Sequence, residues 1–306
     1  MHYLILTPDG VGSTILQRLL TMALHLEGEK VTNTHELTSG LGFANGVVVK
    51  NASVGYSQSL SEIEKILKNS DAKIKIVSRV AKYHLNNRND NEKHKESFYK
   101  FLNNFYGKKI KCVRENIFEY AMSWSIRNES DVLNVYTQED RIKVAAVSEV
   151  NEQYFLRKCK EYVEYQNWIE KHFPDIETMS YEDLLSDGDK VIANMIGYEG
   201  TFKKHFGISL DCILKSEYDY LRGSKQSLSR QEQKGLILYK QRGNEMKDQK
   251  IITSSMPMKN TTLSDKKMQI KNFDNCLAIF YKFAKQHNWI DQSKATYDFW
   301  NGKNVN

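Results

Sequence analysis

Apolar residues along this chain come in short runs separated by stretches of helical period. Residues 3–6, "YLIL", are apolar throughout and meet a proline and glycines at once, the pattern of a buried parallel strand ended by a loop. Beyond Ser13 the apolar positions Ile15, Leu16, Leu19, Leu20, Ala23 and Leu24 recur at helical spacing until Gly28 closes the segment. Strand, glycine-bearing loop and helix are therefore expected in direct succession. A glycine-rich stretch, residues 40–50, ends in "GVVVK" and predicts a second strand, and residues 59–68 an amphipathic helix on Leu60, Ile63, Ile66 and Leu67. "KIKIVSRV" (73–80) and "KKIKCVR" (108–114) predict further strands, with helices over 97–105 and 116–127. Residues 151–172 predict a long helix with Tyr154, Phe155, Cys159, Tyr162, Tyr165 and Trp168 on its apolar side, and "IETMSY" a last strand.

Strands that alternate with helices imply an α/β fold, a central mostly parallel sheet flanked by helices on both faces. Beyond Gly200 the pattern is helical and charged, so residues 1–200 read as the α/β core. Residues 201–306 read as a helical C-terminal extension packed on that core within the same domain. Within it, 224–255 is polar and rich in lysine and glutamine, a candidate lid or extension, and 265–288 resumes an apolar period.

Composition narrows the function classes. A formal charge of +6 on 306 residues fits anionic small molecules as well as nucleic acid, and equally a plain solvated, lysine-rich surface. The lysines are scattered and no basic stripe is interleaved with aromatics, which disfavours nucleic acid. Cys112, Cys159, Cys212 and Cys276 have no CxxC spacing and read as free thiols in a reducing compartment, with no metal cluster. The chain shows neither a leader pattern nor an apolar run of membrane-spanning length, so the expectation is a soluble, cytoplasmic protein.

The chemistry concentrates in "LTPDGVGST" (6–14). In an open parallel sheet, ligands sit beyond the carboxyl ends of the strands, and a loop that opens a helix there offers free N–H groups and a positive dipole end to an anion. Gly10 and Gly12 allow close backbone approach, and Ser13 and Thr14 supply hydroxyls; the alternative is a plain turn capped by Ser13. The Walker pattern GxxxxGK[ST] does not fit, because Ser13 stands where its lysine belongs.

Three stretches in order carry a family resemblance. Gly12-Ser13-Thr14 is similar to the 5′-phosphosulfate loop of sulfotransferases, roughly P-[KR]-S-G-[ST]-T. "VRENIFEYAMSWS" (113–125) resembles that family's 3′-phosphate segment, and "YEDLLSD" (181–187) followed by "VIANMIGYEG" resembles its "YEDL…DP…LG" stretch. The chain thus resembles the sulfotransferases of P-loop-like fold over about residues 3–200.

The resemblance implies transfer of a sulfo group from 3′-phosphoadenosine 5′-phosphosulfate (PAPS) to a hydroxyl or amine of a small-molecule or glycan acceptor, without a metal. It implies cofactor binding by Gly10, Gly12, Ser13 and Thr14 at one end and by Arg114 and Ser123 at the other, with Tyr181 near the adenine. Glu36 is the first candidate for the acceptor's proton, His35 beside it the second, and His84 a weaker one.

Two departures stand out. Gly10 occupies the position of the family's loop lysine or arginine, the cation that steadies charge on the leaving phosphate. Arg79, from the "IVSRV" strand, is the candidate substitute; its alternative is a pair with a surface carboxylate. In the second segment Glu115 stands at the family's arginine position and Arg114 one residue earlier, so Arg114 serves only if its strand has already ended. The C-terminal third lacks the "RKG…GDW" ending, and Lys259 is the basic residue considered in its place. Rival readings are a non-catalytic nucleotide-binding or assembly module that keeps the fold, and a divergent P-loop kinase using Asp9.

Overall fold

The computed structural model describes residues 1–44, 47–51, 53–86, 88–133, 135, 137–219, 228–249, 251–252 and 263–287. In chain order the elements begin β1 (Tyr3–Thr7), α1 (Ser13–Leu26), β2 (Val31–Glu36), β3 (Leu41–Ala44), β4 (Val47–Lys50) and α2 (Leu60–Lys68). They continue through β5 (Lys75–Ala81), α3 (Lys82–Asn86), α4 (Glu92–Phe105), β6 (Lys108–Val113), α5 (Ile117–Ser130) and α6 (Gln138–Ala145). Then come α7 (Glu152–His172), β7 (Glu177–Ser180), α8 (Tyr181–Ser186), α9 (Gly188–Ile196), α10 (Thr201–Phe206) and α11 (Leu210–Asp219). The last are α12 (Arg230–Asp248), α13 (Leu263–Gln269) and α14 (Phe273–Gln286).

The chain forms two compact units, one of residues 1–113 and 168–256, the other of 114–167 and 257–306. The first holds a five-stranded sheet in the order β2-β5-β1-β6-β7, parallel throughout. β1 is central because all five of its residues, "YLILT", are buried, as a strand covered on both faces requires. The chain leaves β1 toward β2 at one edge and later crosses to β6 on β1's other side, so the loop after β1 lies at the point where the strand order reverses. α1 packs on β2 and β5 with Leu16, Leu19 and Leu20 fully buried. Each such leucine contributes about 1.5–3 kcal/mol relative to an exposed one.

The expected second strand is not in this sheet. Val47–Lys50 of that stretch form β4, which pairs antiparallel with β3, and one edge of the sheet is β2, "VTNTHE". That polar segment is buried because its side chains find partners. Thr32 Oγ1 donates to Val48 O (3.1 Å), Asn33 Nδ2 to Thr21 Oγ1 (3.3 Å), and Thr34 Oγ1 to Ser78 Oγ (2.8 Å). Most of the candidate lid is helix α12, opened by a Ser229–Glu232 capping box and burying Leu236, Tyr239 and Met246.

The second unit packs α5, α6, the first part of α7, α13 and α14 around Phe118, whose ring stands edge-on to Phe155, Phe273 and Phe280 at 5.4, 5.0 and 5.7 Å. The apolar period of 265–288 breaks between α13 and α14. There Asn272 accepts from Val150 N (3.1 Å) and donates to Val150 O (2.9 Å). No helix among the described residues is long and apolar enough to cross a membrane.

Candidate functional site

The loop after β1 is built from left-handed backbone. Asp9, Gly10 and Gly12 have φ of 75°, 72° and 76°, and Asp9 N donates to Thr7 Oγ1 at 3.1 Å. Gly12 precedes α1, and no side chain caps that helix: Ser13 is its first residue rather than its cap. Tyr181, the first residue of α8, lays its ring against Gly12, so that a Cβ at Gly12 would fall 2.5 Å from the ring. Glycine is therefore required twice over, by its φ and by the tyrosine.

Into this open helix end reaches Arg79 from β5. Its Nη1 bonds Thr14 Oγ1 and lies 3.4 Å from Ser13 Oγ, its Nη2 lies 3.4 Å from His35 Nδ1, and its Nε 3.6 Å from Glu36 Oε2. The guanidinium is buried, so it is not paired with a surface carboxylate. Consecutive strand residues normally face opposite ways, yet His35 and Glu36 meet the same guanidinium. A β-bulge explains it: the register with β5 slips between Asn33 and His35, and His35 takes φ 56°. Gln17, buried in α1, donates to His35 O (3.0 Å) and Val77 O (3.2 Å) and so holds this irregular stretch.

Burial sets the charge states. Glu36 is raised to about 7, chiefly by desolvation and further by Asp9, against the pull of Arg79. Its Oε1 accepts from Thr38 Oγ1 (2.8 Å), and Ala81 N lies 3.3 Å from Oε2. His35 is lowered to about 3 by desolvation, Arg79, Lys50 and His84, and stays neutral at pH 7. Because guanidinium only donates, His35 Nδ1 is the acceptor and Nε2 carries the proton. At the rim, His84 in α3 meets the Tyr56 hydroxyl through Nδ1 and faces Asp9 Oδ2 at 4.0 Å through Nε2.

The second unit holds Arg114 and Ser123. β6 ends at Val113, so Arg114 follows the strand, and the Tyr162 hydroxyl fixes it by donating to Arg114 O and accepting from Arg114 N, each at 3.0 Å. Arg114 Nη2 pairs with Glu119 Oε1 at 3.0 Å. Lys266, absent from the sequence expectations, is 3 % exposed and donates to Ser123 Oγ (2.7 Å) and Glu119 Oε1 (3.1 Å). Desolvation, with Arg114 and Arg127 opposing Glu119, lowers it to about 8. Glu119, Ser123 and Arg127 share one face of α5 at four-residue spacing. The signal for Lys266 lay in its place on the apolar period with Ile270 and Phe273, where a lysine is out of character. Lys259 lies outside the described residues.

The structure thus brings Gly10, Gly12, Ser13, Thr14, His35, Glu36, Arg79 and Tyr181 to one loop in the first unit, and gathers Arg114, Ser123 and Lys266 in the second. Compared with known family models, curated proteins and solved structures, the chain matches none.

Proposed function

We propose that the chain is a sulfotransferase-like protein that moves a sulfo group from PAPS to a hydroxyl or amine of a small-molecule or glycan acceptor. Support comes from the parallel sheet with a glycine loop after its central strand, which suits a P-loop-like sulfotransferase fold. The observation that carries the reading is Arg79 at the uncapped N-terminus of α1. A cation there has the wrong sign for the helix dipole. Its carboxylate neighbour Glu36 is about half neutral at pH 7. Arg79 is balanced there by the ionised half of Glu36 and by Asp9 at the rim, which leaves the helix end itself open to an anion. Negative charge that builds on a departing phosphate fits that opening. Arg79 in this view replaces the cation missing at Gly10, while Ser13, Thr14 and the loop amides hold phosphate oxygens. PAPS supplies the activated sulfo group when bound. Within the second unit, Arg114 and Lys266 share the Glu119 carboxylate, and Lys266 also holds Ser123.

One observation favours the non-catalytic binding module: both oxygens of Glu36, the first proton acceptor considered, are engaged by Thr38 and Ala81. The kinase reading draws less support, since Asp9 faces His84. Calorimetry with 3′-phosphoadenosine 5′-phosphate separates the three. Binding is expected, and Arg79→Ala should weaken it roughly 10- to 100-fold, the loss of a charge-assisted contact. Preference for ATP with magnesium would indicate the kinase. Tight binding with no sulfo transfer to a broad acceptor panel would indicate the module, and absence of binding overturns the proposal.

A further inference from the structure

Neither Glu36 nor His35 offers an open proton-accepting atom. Glu36 is buried with both oxygens engaged, and Nδ1 of His35 faces the Arg79 guanidinium. A different set of groups lies beside them in the same unit. Tyr56, in the turn between β4 and α2, is 48 % exposed, and its ring stacks on the His84 imidazole at 5.7 Å between centroids. Its hydroxyl meets His84 Nδ1, and Nε2 of that ring faces Asp9 Oδ2 at 4.0 Å. Asp9 decides which nitrogen carries the proton. A lone pair on Nε2 would oppose the carboxylate, whereas an N–H there is attracted to it. Nδ1 is then the acceptor, and the phenol donates to it. Carboxylate, imidazole and hydroxyl thus have the polarity in which an imidazole activates an oxygen.

We infer that Tyr56, backed by His84 and Asp9, is the catalytic residue that takes the proton of the acceptor hydroxyl, an inference that rests on the sulfotransferase reading. The acceptor's O–H bond breaks as its oxygen bonds the sulfur of PAPS. The S–O bond to the phosphate breaks and leaves its electron pair there. The acceptor proton passes to the Tyr56 oxygen while the Tyr56 proton moves to His84 Nδ1, and Asp9 stabilises the imidazolium. Among the described residues, the groups that face His84 include Asp9, Arg79, Lys50, His35, Tyr56 and Tyr83. Burial, Arg79 and Lys50 outweigh Asp9 and hold the ring below its ordinary value, so it is neutral and able to accept at pH 7.

Transfer to water needs the same proton removal and no identified acceptor, so sulfate release from PAPS is the assay. Tyr56→Phe and His84→Gln are expected to lower kcat about 100-fold, the contribution of one general base, with the KM for PAPS changed less than about twofold. An unchanged kcat in Tyr56→Phe overturns the inference while leaving the function standing. If PAPS does not bind at all, the function itself falls. Nitrogen-15 spectra of His84 test the relay without any donor. The expected result is a proton on Nε2 and a bare Nδ1 whose signal moves in Tyr56→Phe, and a protonated Nδ1 in the unaltered protein overturns the inference alone.

Discussion

Glu36 and Lys266 show how burial alone changes what a residue is. Glu36 of "NTHEL", the first candidate for the acceptor's proton, is buried and raised to about 7. A carboxyl whose folded value lies above its unfolded one stabilises fully below about 4.5 and loses that contribution as pH rises through about 7. Glu36→Gln should therefore gain stability relative to the unaltered protein between those values, by on the order of 3 kcal/mol at most. Denaturant titrations at a series of pH values check this. His35 works in the opposite sense, its stabilisation present above 6.5 and lost as pH falls toward about 3, so it partly masks Glu36 until the substitution separates them. Lys266, lowered to about 8, is a cation only below that value. Its folded value lies below its unfolded 10.5, so its contribution to stability is lost as pH falls toward about 8, a step that Lys266→Met should remove from denaturant titrations. Neither shift is legible in the sequence, because desolvation depends on what packs around the group.

At the scale of elements, the strand, loop and helix at residues 3–26 were legible because each follows from local rules: an apolar run, glycines that admit positive φ, and a helical period. β2 was not legible, since its threonines and Asn33 become buried only by finding partners on β5, β4 and α1. The bulge that turns both His35 and Glu36 to Arg79 left no local mark either. The loop's own requirement can be isolated with two glycines. Gly12→Ala meets both a φ of 76° and the Tyr181 ring, whereas Gly28→Ala meets a φ of 84° and open space. Gly28→Ala should cost about 1–2 kcal/mol for the left-handed backbone. Gly12→Ala should cost measurably more, and thermal unfolding of the two compares them. Equal losses would mean that Tyr181 yields freely.

At the scale of the whole molecule, the first unit's sheet encloses a polar link that no segment contains by itself. Ser78 on β5 accepts from the Tyr106 hydroxyl (2.6 Å) and from Thr34 Oγ1 (2.8 Å), and Tyr106 is buried with its phenol held protonated. Ser78→Ala leaves both donors unmatched and should destabilise by about 1–3 kcal/mol. Adding Tyr106→Phe should recover part of that loss, a coupling that a double-mutant cycle measures directly. Residues 168–256 also join 1–113 in one unit while 114–167 stand with the C-terminal segment, a division set by contacts between distant stretches.

The sequence by itself determined the α/β class, the buried first strand and the glycine loop that opens α1, because these rest on periodicity and on backbone sterics within a few residues. It also singled out Arg79 as the candidate cation from another strand. Only the tertiary structure decided what Arg79 meets, which polar strand forms the sheet edge, and that Lys266 belongs with Ser123. Those outcomes depend on register, on a single bulge and on the loss of water around charged groups. Such properties arise between segments far apart in the chain, and no one segment encodes them.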